Sequence, residues 1–179
     1  MPPYLFVAAV GTWEEVSDFV VLPNGRKVKL EYLVPPGKAN GAKLPLEILK
    51  AAVVWQAKRL NYKYLRECYR TICMEKSNFG GMENVGNTTI ITEAAIIDQW
   101  TTDARLVYAN AVIVHEFEHN HCGSDVTMAT PFDMWLNEAF TVNIEREYQA
   151  EVFGAEYMRL YELDSIRDPS RGPLYETET

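Results

Sequence analysis

Five consecutive residues, His115-Glu116-Phe117-Glu118-His119, carry side chains suited to holding a metal ion and moving a proton. They follow the apolar run Val112-Ile113-Val114, which places them near the end of a helix. Residues four apart on a helix share one face, so the two imidazoles can grip a single Zn²⁺ ion. Glu116, one position along, points beside such an ion, where a general base for water belongs. A third ligand has to come from elsewhere. Glu138, within Trp135-Leu136-Asn137-Glu138-Ala139-Phe140, offers it after a gap of eighteen residues from His119. Zinc held by two imidazoles and a carboxylate keeps an open position for water and lowers that water's pKa from about 15.7 to about 7. Glu116 would accept the proton and later hand it to a leaving amine.

Each assignment has a plainer rival. A His-Glu-x-x-His string also arises in unrelated helices as a solvated histidine pair. Against that, all three histidines of the chain fall between positions 115 and 121. Glu116 lies between apolar residues, Val114 and Phe117 flanking the motif's first pair, which suits a cleft wall. Glu138 sits among Trp135, Leu136, Ala139 and Phe140, and a carboxylate in a buried setting needs a partner. Cys122 is the alternative third ligand. His121 lies two positions past His119 and cannot share its face, so it reads as a supporting or surface residue. Glu118 reads as solvent-facing or as a supporting partner. Upstream, Gly80-Gly81-Met82-Glu83-Asn84 is either a strand-end turn with Glu83 exposed or a further part of the same site.

Taken together, these motifs resemble the gluzincin zinc aminopeptidases, the alanyl/leucyl aminopeptidase family. That family pairs Gly-x-Met-Glu-Asn with HExxH, an eighteen-residue gap and a glutamate in a Trp-Leu-Asn-Glu setting. The match is close over residues 79–153 and extends to Thr88-Thr89, Thr92-Glu93, Gly123 and Val126-Thr127. The resemblance implies Zn²⁺ on His115, His119 and Glu138, with Glu116 as the catalytic base. It implies that Glu83 grips the free α-ammonium of a peptide substrate, beside Gly80, Gly81 and Met82. A carboxylate–ammonium pair at about 4 Å is worth about 4 kcal/mol at an effective dielectric near 20, enough to prefer a chain's N-terminus over its interior. The two glycines would let a peptide backbone approach closely.

The sequence also departs from that family. His121 stands where an aromatic residue is usual. The family's oxyanion tyrosine lies well beyond the zinc-binding glutamate, and Tyr148, Tyr157, Tyr161 and Tyr175 stand in other contexts. One oxyanion donor is worth about 2.7–4 kcal/mol. The expectation is a fragment of an aminopeptidase catalytic domain that binds zinc and cleaves poorly alone, with flanking domains of the same polypeptide as its partners. A non-catalytic zinc- or peptide-binding module and an epoxide hydrolase of the same family are the competing readings.

The 179 residues are enough for one sizeable core, and 47% hydrophobic with 23% charged residues describes an ordinary globular chain. A net charge of −8 argues against nucleic acid as a partner. No apolar run approaches the roughly 20 residues of a membrane span. The opening Met1-Pro2-Pro3-Tyr4 has neither a basic segment nor a long apolar one, so it is no secretory signal, and a cytoplasmic location is expected. Cys68, Cys73 and Cys122 are odd in number and lack a CxxC, which favours free thiols.

These residues need elements to position them. A strand is expected over Tyr4–Val10, with residues 1–16 as the exit of a preceding β domain. Phe19–Leu22 and Lys27–Val34 flank an Asn24-Gly25 hairpin turn. Leu46, Leu49, Val53, Ala57 and Leu60 mark the core stripe of a helix opened by Pro45. Strands are expected at Tyr69–Met74 and Thr88–Thr92. A helix capped by Thr102 or Asp103 should run to Gly123, a second from Asp133 to Phe153, and a third over Glu156–Ile166. Residues 168–179 read as a loosely ordered tail. The fold class is α+β, one domain with an N-terminal antiparallel strand lobe followed by a helical lobe. The resemblance makes it a thermolysin-like catalytic domain.

Overall fold

The structure, a computed structural model, describes residues 2–167. Five strands form one sheet: β1 (Glu14–Val21), β2 (Lys27–Val34), β3 (Cys68–Met74), β4 (Gly81–Met82) and β5 (Asn87–Ile91), in the order β1-β2-β3-β5-β4. The hairpin turn falls at Asn24-Gly25 as expected. Leu22 N–H donates to the Arg26 carbonyl at 2.8 Å, and Gly25 has φ 81°, a conformation that favours glycine. Val28, Leu30, Tyr32 and Val34 alternate along β2 and are all buried.

The strand lobe is mixed rather than antiparallel. β1–β2 and β4–β5 run antiparallel at the two edges, while β2–β3 and β3–β5 are parallel. Alternating hydrophobicity reports which face a residue takes and carries no information on strand direction. The parallel pair β2–β3 needs a long crossover, and helix α1 (Lys43–Arg59) provides it. Helices therefore do not all follow the strands, although the α+β class stands.

The expected strand at Tyr4–Val10 is also corrected. Pro3–Leu5 is a single 3₁₀ turn, and among the described residues no strand begins before Glu14. Proline at the first turn position is compatible with that conformation. The Leu5 carbonyl is held by the Val85 N–H and the Asn84 side-chain amide, so this segment packs through a loop instead of a ladder.

The helices follow their sequence signals closely. Leu46, Leu49, Val53 and Ala57 of α1 are buried, and Asn61, at φ 51°, turns the chain away. A short helix α2 (Thr92–Ala95) precedes α3 (Asp103–Glu118), which the Thr102 hydroxyl caps by accepting from Arg105 N–H at 3.4 Å. α3 stops at Glu118, before the expected Gly123, because the chain closes into a tight loop. Ser124 N–H donates to His119 C=O, Val126 N–H to His121 C=O, and Gly123, at φ 148°, donates back to Val126 C=O. Helix α4 (Met134–Phe153) starts behind a reciprocal Thr130–Asp133 capping box. Gly154, at φ 94°, separates it from α5 (Ala155–Arg167). The tail assigned to residues 168–179, with Tyr175, lies outside the described residues.

One core joins the sheet to α1 and α3, with Leu30, Tyr32, Leu49, Val53, Ile113 and Phe117 among its members. Phe117 meets Tyr69, Tyr64 and Tyr62 at ring separations of 5.2, 5.7 and 6.4 Å. That aromatic cluster fixes the end of α3 against the start of the central strand β3 and the loop before it. No described helix is long and apolar enough to cross a membrane.

Candidate metal centre and active site

The last turn of α3 and the first half of α4 bring three side chains to one point. His115 Nε2 and His119 Nε2 are 3.0 Å apart, Glu138 Oε2 is 3.3 Å from the first, and Glu138 Oε1 is 3.5 Å from the second. Metal–ligand bonds of about 2.0–2.2 Å place tetrahedral ligand atoms roughly 3.3–3.6 Å apart, so these spacings suit one ion.

The hydrogen bonds behind the imidazoles decide what those nitrogens present. His119 Nδ1 lies 2.8 Å from the Cys122 carbonyl, which can only accept, so Nδ1 carries the proton. His115 Nδ1 faces the Glu145 carboxylate at 3.3 Å, with the same consequence. Both Nε2 atoms then point at each other and at Glu138, so a positive charge between them, a metal ion or an imidazole proton shared with Glu138, has to join the three. The donor set of two imidazoles and one carboxylate suits Zn²⁺.

The local potential points the same way. Burial disfavours a charged His115, yet Glu138 and Glu145 outweigh it and lift its pKa to about 10. His119 is also raised, Glu138 prevailing over burial. Burial should raise Glu138, but the two imidazoles hold it far below the usual carboxylate range. The centre is built to attract positive charge.

Glu116 is buried beside this centre, and its Oε2 has no hydrogen-bond partner. Burial pushes its pKa up to about 7, opposed by His115 and His119 and reinforced by Glu83 and Glu138. A carboxyl near neutrality can both take and return a proton. Gly81 packs directly on the Glu116 carboxyl, and Gly80 faces the Tyr108 hydroxyl, so a side chain at either position would meet those groups. Gly81 makes room for Glu116, and Gly80 for Tyr108. Met82 and Glu83 follow, both half-buried, and the charge of Glu83 is felt at Glu116 and His119. Asn84 fixes the loop behind them, donating to Leu5 C=O at 3.4 Å and accepting from the Thr89 hydroxyl at 3.5 Å.

Several expectations change. The α4 segment around Glu138 is not largely buried: Trp135 is 64% and Phe140 60% exposed. Apolar sequence does not say which element will cover a face, and none of the described ones covers this face. Glu118 does not face solvent. It is fully buried, 3.0 Å from His121 Nδ1. His121 stays outside the His–His–Glu centre and lies against the Tyr62 ring. Cys122 supplies its carbonyl to His119 rather than its sulfur to the ion.

Two supporting residues escape the sequence motifs. Thr141 places its hydroxyl 3.3 Å from His119 Nδ1, and Glu145 holds His115. Glu145 lies seven positions past Glu138, two helical turns along the same face, which is the signal that could have found it. Glu145→Gln is expected to weaken zinc binding by about 10–100-fold, as loss of a residue that orients a ligating histidine does. Competition with a chromophoric chelator measures it, and unchanged affinity would deny Glu145 that role.

A sheet laid over a helix that ends in HExxH, with a glutamate from the next long helix, is the fold of a zinc-metallopeptidase catalytic domain. Residues 44–169 match the Peptidase family M1 domain, and the chain belongs to that family. It is 30% identical over 167 residues to an aminopeptidase N of Caulobacter vibrioides, covering 93% of this chain and 19% of that protein. The aminopeptidase N of Haemophilus influenzae matches to the same extent, again at 30% identity, 93% of this chain and 19% of the relative. A crystal structure of Legionella pneumophila aminopeptidase A with aspartic acid superposes with a TM-score of 0.82 at 25% identity, over 85% of this chain and 18% of that one. The chain thus spans about a fifth of the length of these relatives.

Proposed function

We propose that this chain is the zinc-holding core of an aminopeptidase, hydrolysing peptide bonds at a free N-terminus. The observation that carries the reading is the convergence of His115, His119 and Glu138 beside a buried, partnerless Glu116 oxygen. The aminopeptidase names of its relatives support it. Zn²⁺ held by the three ligands would supply Lewis acidity towards water and the scissile carbonyl. Glu116 takes the proton of the attacking water and delivers it to the departing amine. Its half-buried neighbour Glu83 pairs with the substrate α-ammonium, and Met82 and the glycine pair flank the bound peptide. A longer polypeptide, on the scale of those relatives, would have segments to complete the cleft and bring an oxyanion donor. The full polypeptide is therefore the form to assay.

The test compares an aminoacyl-arylamide with its N-acetylated counterpart. The free-amine substrate alone should be cleaved, and Glu83→Gln should lower its kcat/KM. A hydrogen bond to a charged group is worth about 1.5–3 kcal/mol, so the expected loss is about 10–100-fold. Equal cleavage of the blocked compound would sink the aminopeptidase reading and favour an endopeptidase.

A further inference from the structure

Immediately past the metal centre, Glu118, His121 and Cys122 bring a carboxylate, an imidazole and a thiol together. Their ligand atoms all lie within 4.8 Å of one another, with Glu118 Oε1 to His121 Nδ1 at 3.0 Å. The trio shares no residue with the His115–His119–Glu138 centre. Its spacing is i, i+3, i+4, and the backbone continues to turn, His121 N–H and Cys122 N–H both donating to Glu118 C=O at 2.8 and 3.1 Å. The three side chains consequently gather on one side of the chain.

The setting is rigid. Val126 N–H donates to His121 C=O at 2.9 Å, and Cys122 forms a β-bridge with Val126. The Tyr62 ring lies 5.0 Å from the His121 ring and holds its plane, while the Tyr62 hydroxyl donates to Asp125 at 3.0 Å. Glu118 itself is fully buried, its Oε2 accepts no N–H or O–H, and the Cys122 thiol is turned towards the carboxylate. A thiol is a weak donor for a buried carboxylate oxygen, and a cation satisfies both groups better. His121 and Cys122 are each half-buried, so an ion can reach the group from solvent.

We propose that Glu118, His121 and Cys122 form a second site for a thiophilic divalent cation, Zn²⁺ above all. One thiolate, one imidazole and one carboxylate are ligands that zinc accepts, and water would complete the tetrahedron. Binding releases the Cys122 proton to solvent. The site also meets the first through the backbone, because the Cys122 carbonyl is the group that holds His119.

Cobalt(II) is the probe, since a thiolate ligand gives it a charge-transfer band in the near ultraviolet. The purified protein is expected to bind two Co²⁺ ions and to show that band. Cys122→Ser should abolish the band and remove one ion. His121→Ala should also remove one ion and shift or weaken the band. Glu138→Gln should remove the other ion and leave the band intact, which separates this site from the peptidase reading. A wild-type protein without the band, or a band that survives both Cys122→Ser and His121→Ala, would overturn the proposal. The trio would then be an ion pair beside a free thiol.

Discussion

Glu116→Gln should keep its zinc and lose turnover by about 10²–10⁴-fold, the usual worth of a positioned general base. The amide has nearly the volume of the carboxyl, so the packing against Gly81 survives. What disappears is the capacity to accept a proton. The carboxyl being replaced is buried, titrates near 7 because burial disfavours its charge, and has an oxygen free of protein donors. As pH falls through this carboxyl's pKa, which bound zinc would draw below 7, the wild-type base fills with a proton and activity should fall, whereas the glutamine variant should lack this acidic limb. Metal content is measured alongside kcat/KM. Full activity in the variant would remove Glu116 from the mechanism, and lost metal would make the comparison one of binding.

Phe117→Ala carries the largest expected cost in stability, about 3–5 kcal/mol, the range for truncating a buried phenylalanine. Its ring is 1% exposed and sits amid Tyr62, Tyr64 and Tyr69, on the side of α3 that faces the core. Two of the three tyrosines are anchored elsewhere, Tyr62 on Asp125 and Tyr64 on the Cys68 carbonyl, and Tyr69 is held in strand β3, so the cavity cannot readily collapse. Denaturant unfolding in the presence of a chelator measures the change, because bound zinc would add its own stabilisation. A loss under about 1.5 kcal/mol would mean that the cluster relaxes around the gap and does little to hold α3.

Residues on α3 were legible in the sequence because helical period is rigid. Once Val112 to Val114 marked a buried helix, His115, His119 and Glu116 had little freedom in where they could point. The same holds for β2, where alternation placed Val28, Leu30, Tyr32 and Val34 inward. Strand direction was hidden, since a parallel and an antiparallel neighbour demand the same alternation. β4 was hidden too: at Gly81–Met82 it is too short to show a pattern. The purpose of Gly81 depended on where Glu116 would arrive from, thirty-five positions away. Trp135 and Phe140 misled because apolar character does not name the surface that meets it.

The loop that follows His119 has a consequence for how the protein tolerates change. Gly123 stands at φ 148°, and a methyl group added there would lie 2.7 Å from the His119 carbonyl oxygen. Any replacement would therefore press on the main chain of a residue whose ring must stay aimed to within a fraction of an ångström. In a survey of random variants, a position that offers no chemistry at all should rank among the least forgiving, and even alanine should be rejected there.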